Sequence, residues 1–251
     1  MGNSLNVAVV IPAYNEAATI RDVASRALEQ CSQVIVVDDG SSDDTVARLD
    51  GLPLTVLQNG QNAGKAASLW SGMSYALREG AEMVITIDGD GQHDPADIPR
   101  LLAAAAHYPG HTLIAARLEN RESAPRARLF ANNFADFWIS WAAGQWVHDS
   151  QSGFRLYPAE LLRGFTPRED RRYGFVFESE VLILGIRRGF PSVSVPIASV
   201  YRHGARPSHF RPVADITLIV QMVAWKLITR GLFLHGLWRA LRTRKQGVVN
   251  V

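Results

Sequence analysis

Short apolar runs of strand length alternate with stretches of helical periodicity over the first 116 residues, and this alternation limits the fold most. VAVVI at 7–11, QVIVV at 33–37, residues 54–57, residues 83–87 and TLIAA at 112–116 read as strands. Residues 17–29, 43–49, 64–79 and 95–106 read as helices, the third with Ala67, Trp70, Met73, Ala76 and Leu77 on one face. Alternation of this kind predicts an α/β chain with a mostly parallel sheet flanked by helices. Such sheets bind ligands beyond the C-terminal strand edges, where the strand order reverses. The polar loops after strands one, two and four all lie on that edge.

The fourth strand runs into VITIDGDGQHDP, Val84–Pro95. Side chains two apart on an extended chain point the same way, so Asp88 and Asp90 converge if strand geometry persists. Gly89 between them admits close approach of a ligand or backbone. Two adjacent carboxylates repel unless a cation separates them. A hard divalent ion, Mg²⁺ or Mn²⁺, suits oxygen donors and brings a diphosphate with it. Gln92 and His93 stand ready as a further ligand or phosphate contact. The same stretch also reads as a polar loop, since Asp94-Pro95 forms a sound helix cap and first turn.

With 251 residues, 47% of them hydrophobic, the chain has material for one sizeable core. The single Cys31 excludes a disulfide framework and a cysteine zinc cluster. The opening MGNSLNVAVV lacks a signal-peptide pattern, so a location at the cytoplasmic face of a membrane is expected. The net charge of +2 is divided unevenly. From Tyr201 to Val251 nine basic residues face only Asp215, a net +8, which leaves −6 for residues 1–200. A basic tail beside an acidic body implies an anionic partner.

Beyond residue 117 the pattern changes. Residues 128–143 read as a helix striped with Phe130, Phe134, Phe137, Trp138 and Trp141, which suits core packing or a membrane-facing surface. DSQSGFRLY, Asp149–Tyr157, reads as a turn and a short strand; 177–188 is helical and 191–198 extended. Residues 202–212 form a basic loop, and 213–242 read as one long helix or two broken near Gly231. The apolar stretch Ile216–Trp225 falls short of the roughly 20 residues that span a bilayer. Trp225, Phe233 and Trp238 among basic residues suit a helix lying in the interface. The expected division is a domain over 1–212 and a membrane-associated tail over 213–251.

IPAYNE, VVDDGSSDDT, NAGKAASLWSGM, DGDGQHDP and DSQSGFRLY occur in this order along nearly the whole chain. On these motifs it resembles family 2 glycosyltransferases of the GT-A fold, and among them the dolichol-phosphate mannose synthase branch. The resemblance implies that Pro12, Tyr14 and Glu16 line a nucleotide pocket with Asp38 and Asp39, the last accepting a hydrogen bond from the base. It implies that Lys65 offers charge to a phosphate. It makes Asp88, Asp90 and Gln92 the metal and diphosphate shell. Arg117 is expected to face the substrate, and Asp149, Ser152 and Arg155 to lie near sugar and acceptor, unless Asp149 and Arg155 form a structural ion pair. Arg202, Arg206 and His209, with Arg211, are expected to hold the acceptor phosphate. The chain departs from the family at His209, where lysine is usual, and at Gly89, where alanine is frequent.

These expectations amount to inverting transfer from a nucleotide-sugar to a polyprenyl phosphate. A lipid phosphate is already anionic and needs no general base. A hydroxyl acceptor, the alternative, needs one, with Asp149 or Glu178 in that role. A catalytically silent partner subunit is a third possibility. No Gly-x-Gly-x-x-Gly follows strand one, which argues against a dinucleotide oxidoreductase, and no nucleic-acid module accompanies the basic tail.

Overall fold

The structure, a computed structural model, describes residues 5–119, 126–166, 176–198, 212–244 and 246–249. In chain order the elements are β1 (Val7–Ala13), α1 (Ile20–Gln30), β2 (Gln33–Asp38), β3 (Thr55–Gln58), α2 (Lys65–Arg78), β4 (Met83–Thr86), α3 (Ile98–His107), β5 (Thr112–Arg117), α4 (Arg126–Ala143), β6 (Arg155–Pro158), α5 (Ala159–Arg163), α6 (Val176–Arg187), β7 (Ser192–Ile197), α7 (Pro212–Ile228) and α8 (Leu234–Arg242). They divide into two compact units. One holds β1–β4, α1, α2, β6 and α5; the other holds most of α3 with β5, α4, α6, β7, α7 and α8.

In the first unit β1 pairs in parallel with β2 on one side and β4 on the other, so Val10 faces both Ile35 and Thr86. β3 extends the sheet beyond β2 in parallel, and β6 runs antiparallel to β4. The chain therefore reverses its order about β1, and the loops after β1, β2 and β4 share one edge. The central residues Ala8–Ile11, Ile35–Val37 and Val84–Ile85 are fully buried. These near-continuous Val/Ile runs are the signature of strands covered on both faces.

α2 buries Ser68, Leu69, Gly72, Met73 and Ala76; of the expected face Met73 and Ala76 are buried, Trp70 and Leu77 half-buried, and Ala67 exposed, so the helix is rotated toward Ser68 and Gly72. Gly72 is the reason. A Cβ there would lie 2.4 Å from Val10 Cγ1 and 2.9 Å from Val37 Cγ2. The helix thus rests directly on β1 and β2 through a residue without a side chain. Over 43–49 only a short 3₁₀ turn forms, Ala47–Leu49.

In the second unit β5 and β7 pair in parallel. Ser194 of β7 also binds the chain's end, donating to Gly247 O at 2.6 Å and accepting from Val249 N at 2.9 Å. α4 packs with α6, α7 and α8. Its buried face is Asp136, Ile139, Ser140 and Ala143. The first part of the aromatic stripe is turned outward, with Phe130 73% exposed and Phe134 exposed, while Phe137, Trp138 and Trp141 are half-buried and Trp138 stacks on Trp141 at 5.3 Å. α7 and α8 are separate helices bent by 106° at Gly231, as one of the two sequence readings had it. Lys226, counted above with the basic tail, is buried and paired with Glu180 at 2.9 Å. Phe233 is turned inward rather than toward the surface, because its ring lies against Gly144 and Gly236.

Candidate active site

The first unit gathers polar side chains at the shared strand edge. Asn15 adopts a left-handed backbone (φ 55°) after β1 and stitches two loops together. Its N–H donates to Ser41 Oγ, and its Oδ1 accepts from Ser42 N, both at 2.8 Å. Glu16 N donates to Thr45 Oγ1 at 2.8 Å. Pro12, Tyr14 and Glu16 remain half-buried on this edge.

Asp38 and Asp39 turn inward. Asp38 accepts from Ser41 N at 3.2 Å and caps its own turn. Asp39 is 3% exposed and accepts from Asn59 Nδ2, Ala63 N and Gly64 N, each at 2.8 Å. Three of a carboxylate's roughly four acceptor positions are therefore taken by the loop that leads into α2. In this structure the side chain expected at the base holds the segment that presents Lys65.

Lys65 opens α2, and its Nζ lies 2.7 Å from Asp88 Oδ1, with both side chains partly exposed. Asp88 also lies directly over Gly153, where a Cβ would come within 2.4 Å of Oδ2. Thr86 Oγ1 fixes Gly153 by donating to its carbonyl at 2.8 Å. Gly89 sits beneath the first loop: its carbonyl accepts from Thr19 Oγ1 at 2.7 Å, and a Cβ would meet Pro12 O at 3.2 Å. The close approach expected at Gly89 is thus made by backbone. Asp90 follows in the turn, its two oxygens accepting from Gln92 N at 3.0 Å and Gln92 Nε2 at 2.8 Å. Gln92 orients Asp90 here; its amide nitrogen, not a ligand oxygen, faces the carboxylate. Asp94 caps the next turn by accepting from Ala96 N, and His93 is buried edge-on against Phe154.

Arg155 does not reach this surface. It is 1% exposed in β6, opposite Thr86, with Nη1 3.5 Å from the Tyr157 hydroxyl. A guanidinium that buried lies within the sheet rather than on its exposed edge.

The second unit holds the other motif residues. Arg117 grips Asp149 with a two-pronged contact, Nε to Oδ2 at 2.8 Å and Nη2 to Oδ1 at 2.7 Å, and its own N–H adds a third bond at 2.9 Å. Asp149 is thus one half of an ion pair whose other half is Arg117. Asp149 is left-handed (φ 51°), a conformation that needs outside support. Asp136 supplies it, accepting from Asp149 N at 3.0 Å and Ser150 N at 2.8 Å. Burial pushes the Asp136 carboxyl up to about 6, against the opposing pull of those donors. Ser152 is fully buried and donates to Ala115 O at 2.7 Å, which fixes the turn to β5. Glu178, in the first turn of α6, is buried.

Asp136 went unnoticed in the sequence. Its signal was a lone acid in register with Ile139, Ser140 and Ala143 on the apolar face of an aromatic helix. Arg202, Arg206, His209 and Arg211 lie outside the described residues.

Among the described residues no three His, Cys, Asp or Glu side chains form a metal cage. Asp88 and Asp90 fit a different kind of site. Mg²⁺ is ordinarily held by one or two carboxylates, with phosphates and water completing the shell. Two partly exposed carboxylates, one already facing a cation at Lys65, meet that description.

The "Glycosyl transferase family 2" family matches residues 8–165. The chain belongs to that family. It is 30% identical over 212 residues to a polyprenol monophosphomannose synthase of Mycolicibacterium smegmatis, covering 77% of each chain. It is 26% identical to an undecaprenyl-phosphate mannosyltransferase of Micrococcus luteus, covering 96% of this chain and 99% of that one. In structure it resembles glucosyl-3-phosphoglycerate synthase of Mycobacterium tuberculosis, solved with Mn²⁺, UDP and glucosyl-3-phosphoglycerate (TM-score 0.61, 23% identity, 90% and 80% of the two chains). This family 2 glycosyltransferase has the GT-A fold and falls in the dolichol-phosphate mannose synthase-like branch.

Proposed function

We propose that this glycosyltransferase moves a sugar from a nucleotide-sugar to a polyprenyl phosphate at a membrane surface, inverting the anomeric centre. The observation that carries the choice of acceptor is the state of the two candidate bases. Both oxygens of Asp149 are engaged by Arg117, and Glu178 is buried. A hydroxyl acceptor needs a base to take its proton; a lipid phosphate arrives already anionic. The relatives named for polyprenyl-phosphate transfer support the same choice.

Asp88 and Asp90 would hold the divalent ion, Mg²⁺ or Mn²⁺. When bound, it neutralises charge on the departing diphosphate as a Lewis acid. Lys65 then turns from Asp88 to a phosphate oxygen, and Gln92 keeps Asp90 oriented. Pro12, Tyr14 and Glu16 line the nucleotide pocket on loops that Asn15 and Asp39 hold. Asp136 and Arg117 fix the Asp149 turn beside the sugar. Arg202, Arg206 and His209 receive the acceptor phosphate.

The second unit's surface supports attachment to the membrane. Trp225 is 62% exposed, and Ile228, Leu232, Leu234, Trp238 and Leu241 are exposed with it. Among the described residues no single helix is long and apolar enough to cross a membrane. A bent helical pair with an apolar outer face suits burial in the interface of the cytoplasmic leaflet.

The test is a panel of nucleotide-sugars with a polyprenyl phosphate, or with the matching polyprenol, in Mg²⁺ or Mn²⁺. Product on the phosphate alone is expected. Product on the polyprenol instead would move the acceptor to a hydroxyl.

A further inference from the structure

The corner between α7 and α8 is built in an unusual way. Gly231, Leu232 and Phe233 all have left-handed backbones, with φ of 59°, 64° and 46°. Two consecutive non-glycine residues in that region carry strain that the surroundings must offset. The ring of Phe233 is lodged on two glycines. A Cβ at Gly236 would lie 2.0 Å from its Cε1, and one at Gly144 would lie 3.2 Å away. Trp141 Nε1 ties the corner to α4 by donating to Leu232 O at 2.9 Å.

Two guanidinium groups lie over that ring, Arg187 at 5.4 Å and Arg230 at 5.9 Å from its centroid. Arg187 Nε and Nη2 are buried and have no hydrogen-bond acceptor among the described residues. Buried donors without acceptors are destabilising, and so is a second like charge beside them. Both effects are visible in Arg187, whose pKa falls to about 10, first through burial and then through Arg230. The C-terminal end of α6 favours a cation there but supplies no acceptor for these atoms. Arg230 is exposed and Arg187 as a whole is half-buried, so the pair borders the surface although two of the Arg187 donors point inward. The corner is bordered by the exposed Ile228, Leu232 and Leu234.

We infer that Arg187 and Arg230, over Phe233, form a binding site for the phosphate of a membrane phospholipid headgroup. The site rests on the membrane-surface reading above and deepens it. The apolar corner enters the interface, and a phosphate at headgroup depth offers acceptors to the guanidinium pair, drawing Arg187 outward from a pocket that supplies none among the described residues. Paired arginines suit this role because their forked donors match phosphate oxygens, which a lysine ammonium does not reproduce.

The test uses the full chain with phosphatidylglycerol or phosphatidylcholine vesicles. Arg187→Lys and Arg230→Lys keep the charge and lose the fork. Each should weaken phosphatidylglycerol binding about tenfold, while Arg239→Lys on α8 leaves it unchanged. Equal affinity of all three variants and the wild type would mean diffuse charge attraction and would overturn the site. Arg187→Met removes the buried donors. Without lipid it should melt no lower than the wild type, and vesicles should stabilise the wild type but not this variant. Inorganic phosphate at matched ionic strength stabilising the wild type as strongly as vesicles would assign the pair to a soluble anion and overturn the proposal. So would lost transfer to a detergent-dispersed short-chain polyprenyl phosphate in the Lys variants, which would make the arginines part of the acceptor site. A wild type that binds neither vesicle would remove both the headgroup site and membrane attachment. Intact transfer in detergent would then leave the transferase function standing.

Discussion

Replacing Gly153 with alanine isolates the position of the Asp88 carboxylate. Gly153 is not among the positive-φ glycines, so its backbone accepts a side chain. The added Cβ would lie 2.4 Å from Asp88 Oδ2, 2.9 Å from Cγ and 3.0 Å from Oδ1, whereas ordinary contact begins at 3.4 Å. The carboxylate must therefore retreat by about 1 Å, and Lys65, 2.7 Å from its other oxygen, must follow or lose the contact. A displacement of about 1 Å in a reacting assembly costs on the order of 10²-fold in rate, about 2.7 kcal/mol of barrier. The fold should lose little. The obstructed group is the end of a side chain, and Gly→Ala restricts the unfolded chain by ~0.4–1 kcal/mol in the protein's favour. The assay is initial-rate transfer across a Mn²⁺ titration, with thermal unfolding alongside and Gly60→Ala as control, since a Cβ there meets nothing within 4 Å. The expected result is a fall of about 10²-fold in kcat, a higher Mn²⁺ requirement and a near-native melting temperature. Transfer within about threefold of the wild type at unchanged metal dependence would refute the argument that Asp88 is fixed by its seat on Gly153.

Asp90→Ala should abolish transfer with the fold intact, since the residue is partly exposed on the strand edge, and chelation of the wild type should do the same; full turnover in chelator contradicts the metal assignment. Asp136, with its folded pKa raised to about 6, holds its proton more tightly folded than unfolded, so its contribution to stability is greatest near pH 4 and falls as pH rises through 6. The ionised form is the one that accepts from both Asp149 N and Ser150 N, so activity should rise over the same interval, and Asp136→Asn should be slow at every pH; a variant that keeps the wild-type pH profile counts against the clamp. Trp225→Ala with Trp238→Ala should weaken vesicle flotation and leave transfer to a short-chain acceptor in detergent unchanged, and flotation equal to wild type would show that this face is not the attachment surface.

β1, β2 and β4 were legible because each is a short Val/Ile run closed by Pro or Asp, and burial on both faces requires that composition. What the sequence hid was pairing and direction of side chains. β6 was expected as a short strand, but its antiparallel place beside β4 depends on a contact between segments about 70 residues apart. The orientation of α2 was set by Gly72, which has no hydrophobic signal of its own. The motif residues were visible by type, yet type does not say whether a polar group faces a ligand or the fold. Asp39, Ser152 and Arg155 all turned inward, because each sits where backbone donors, a carbonyl or a neighbouring strand must be satisfied. Asp136 escaped for the opposite reason. It belongs to no motif, and a single acid among Phe, Trp and Ile is overshadowed by the stripe around it. Lys226 was counted as surface charge until Glu180 appeared opposite it from a different helix.

The inward residues explain how the outward ones are held ready. Lys65, Asp88, Asp90 and Gln92 are partly exposed and carry the charge that a nucleoside diphosphate and a cation would meet. Two of them rest on buried groups, Lys65 on the loop held by Asp39 and Asp88 on Gly153 and Thr86, and Gly89 between the two carboxylates is tied to the half-buried Thr19. Fixed charges lower a barrier most when they need not reorganise during the reaction, which requires this kind of support. The Lys65–Asp88 pair also gives the donor site a defined resting state. Before the donor binds, the lysine shields one carboxylate. Once a diphosphate arrives with its cation, each of the two gains a stronger partner, and the pair can part without leaving either charge alone. A donor without the cation would draw Lys65 away and cost Asp88 that contact with nothing to replace it. On that account nucleotide and metal bind cooperatively, each weakened by the absence of the other.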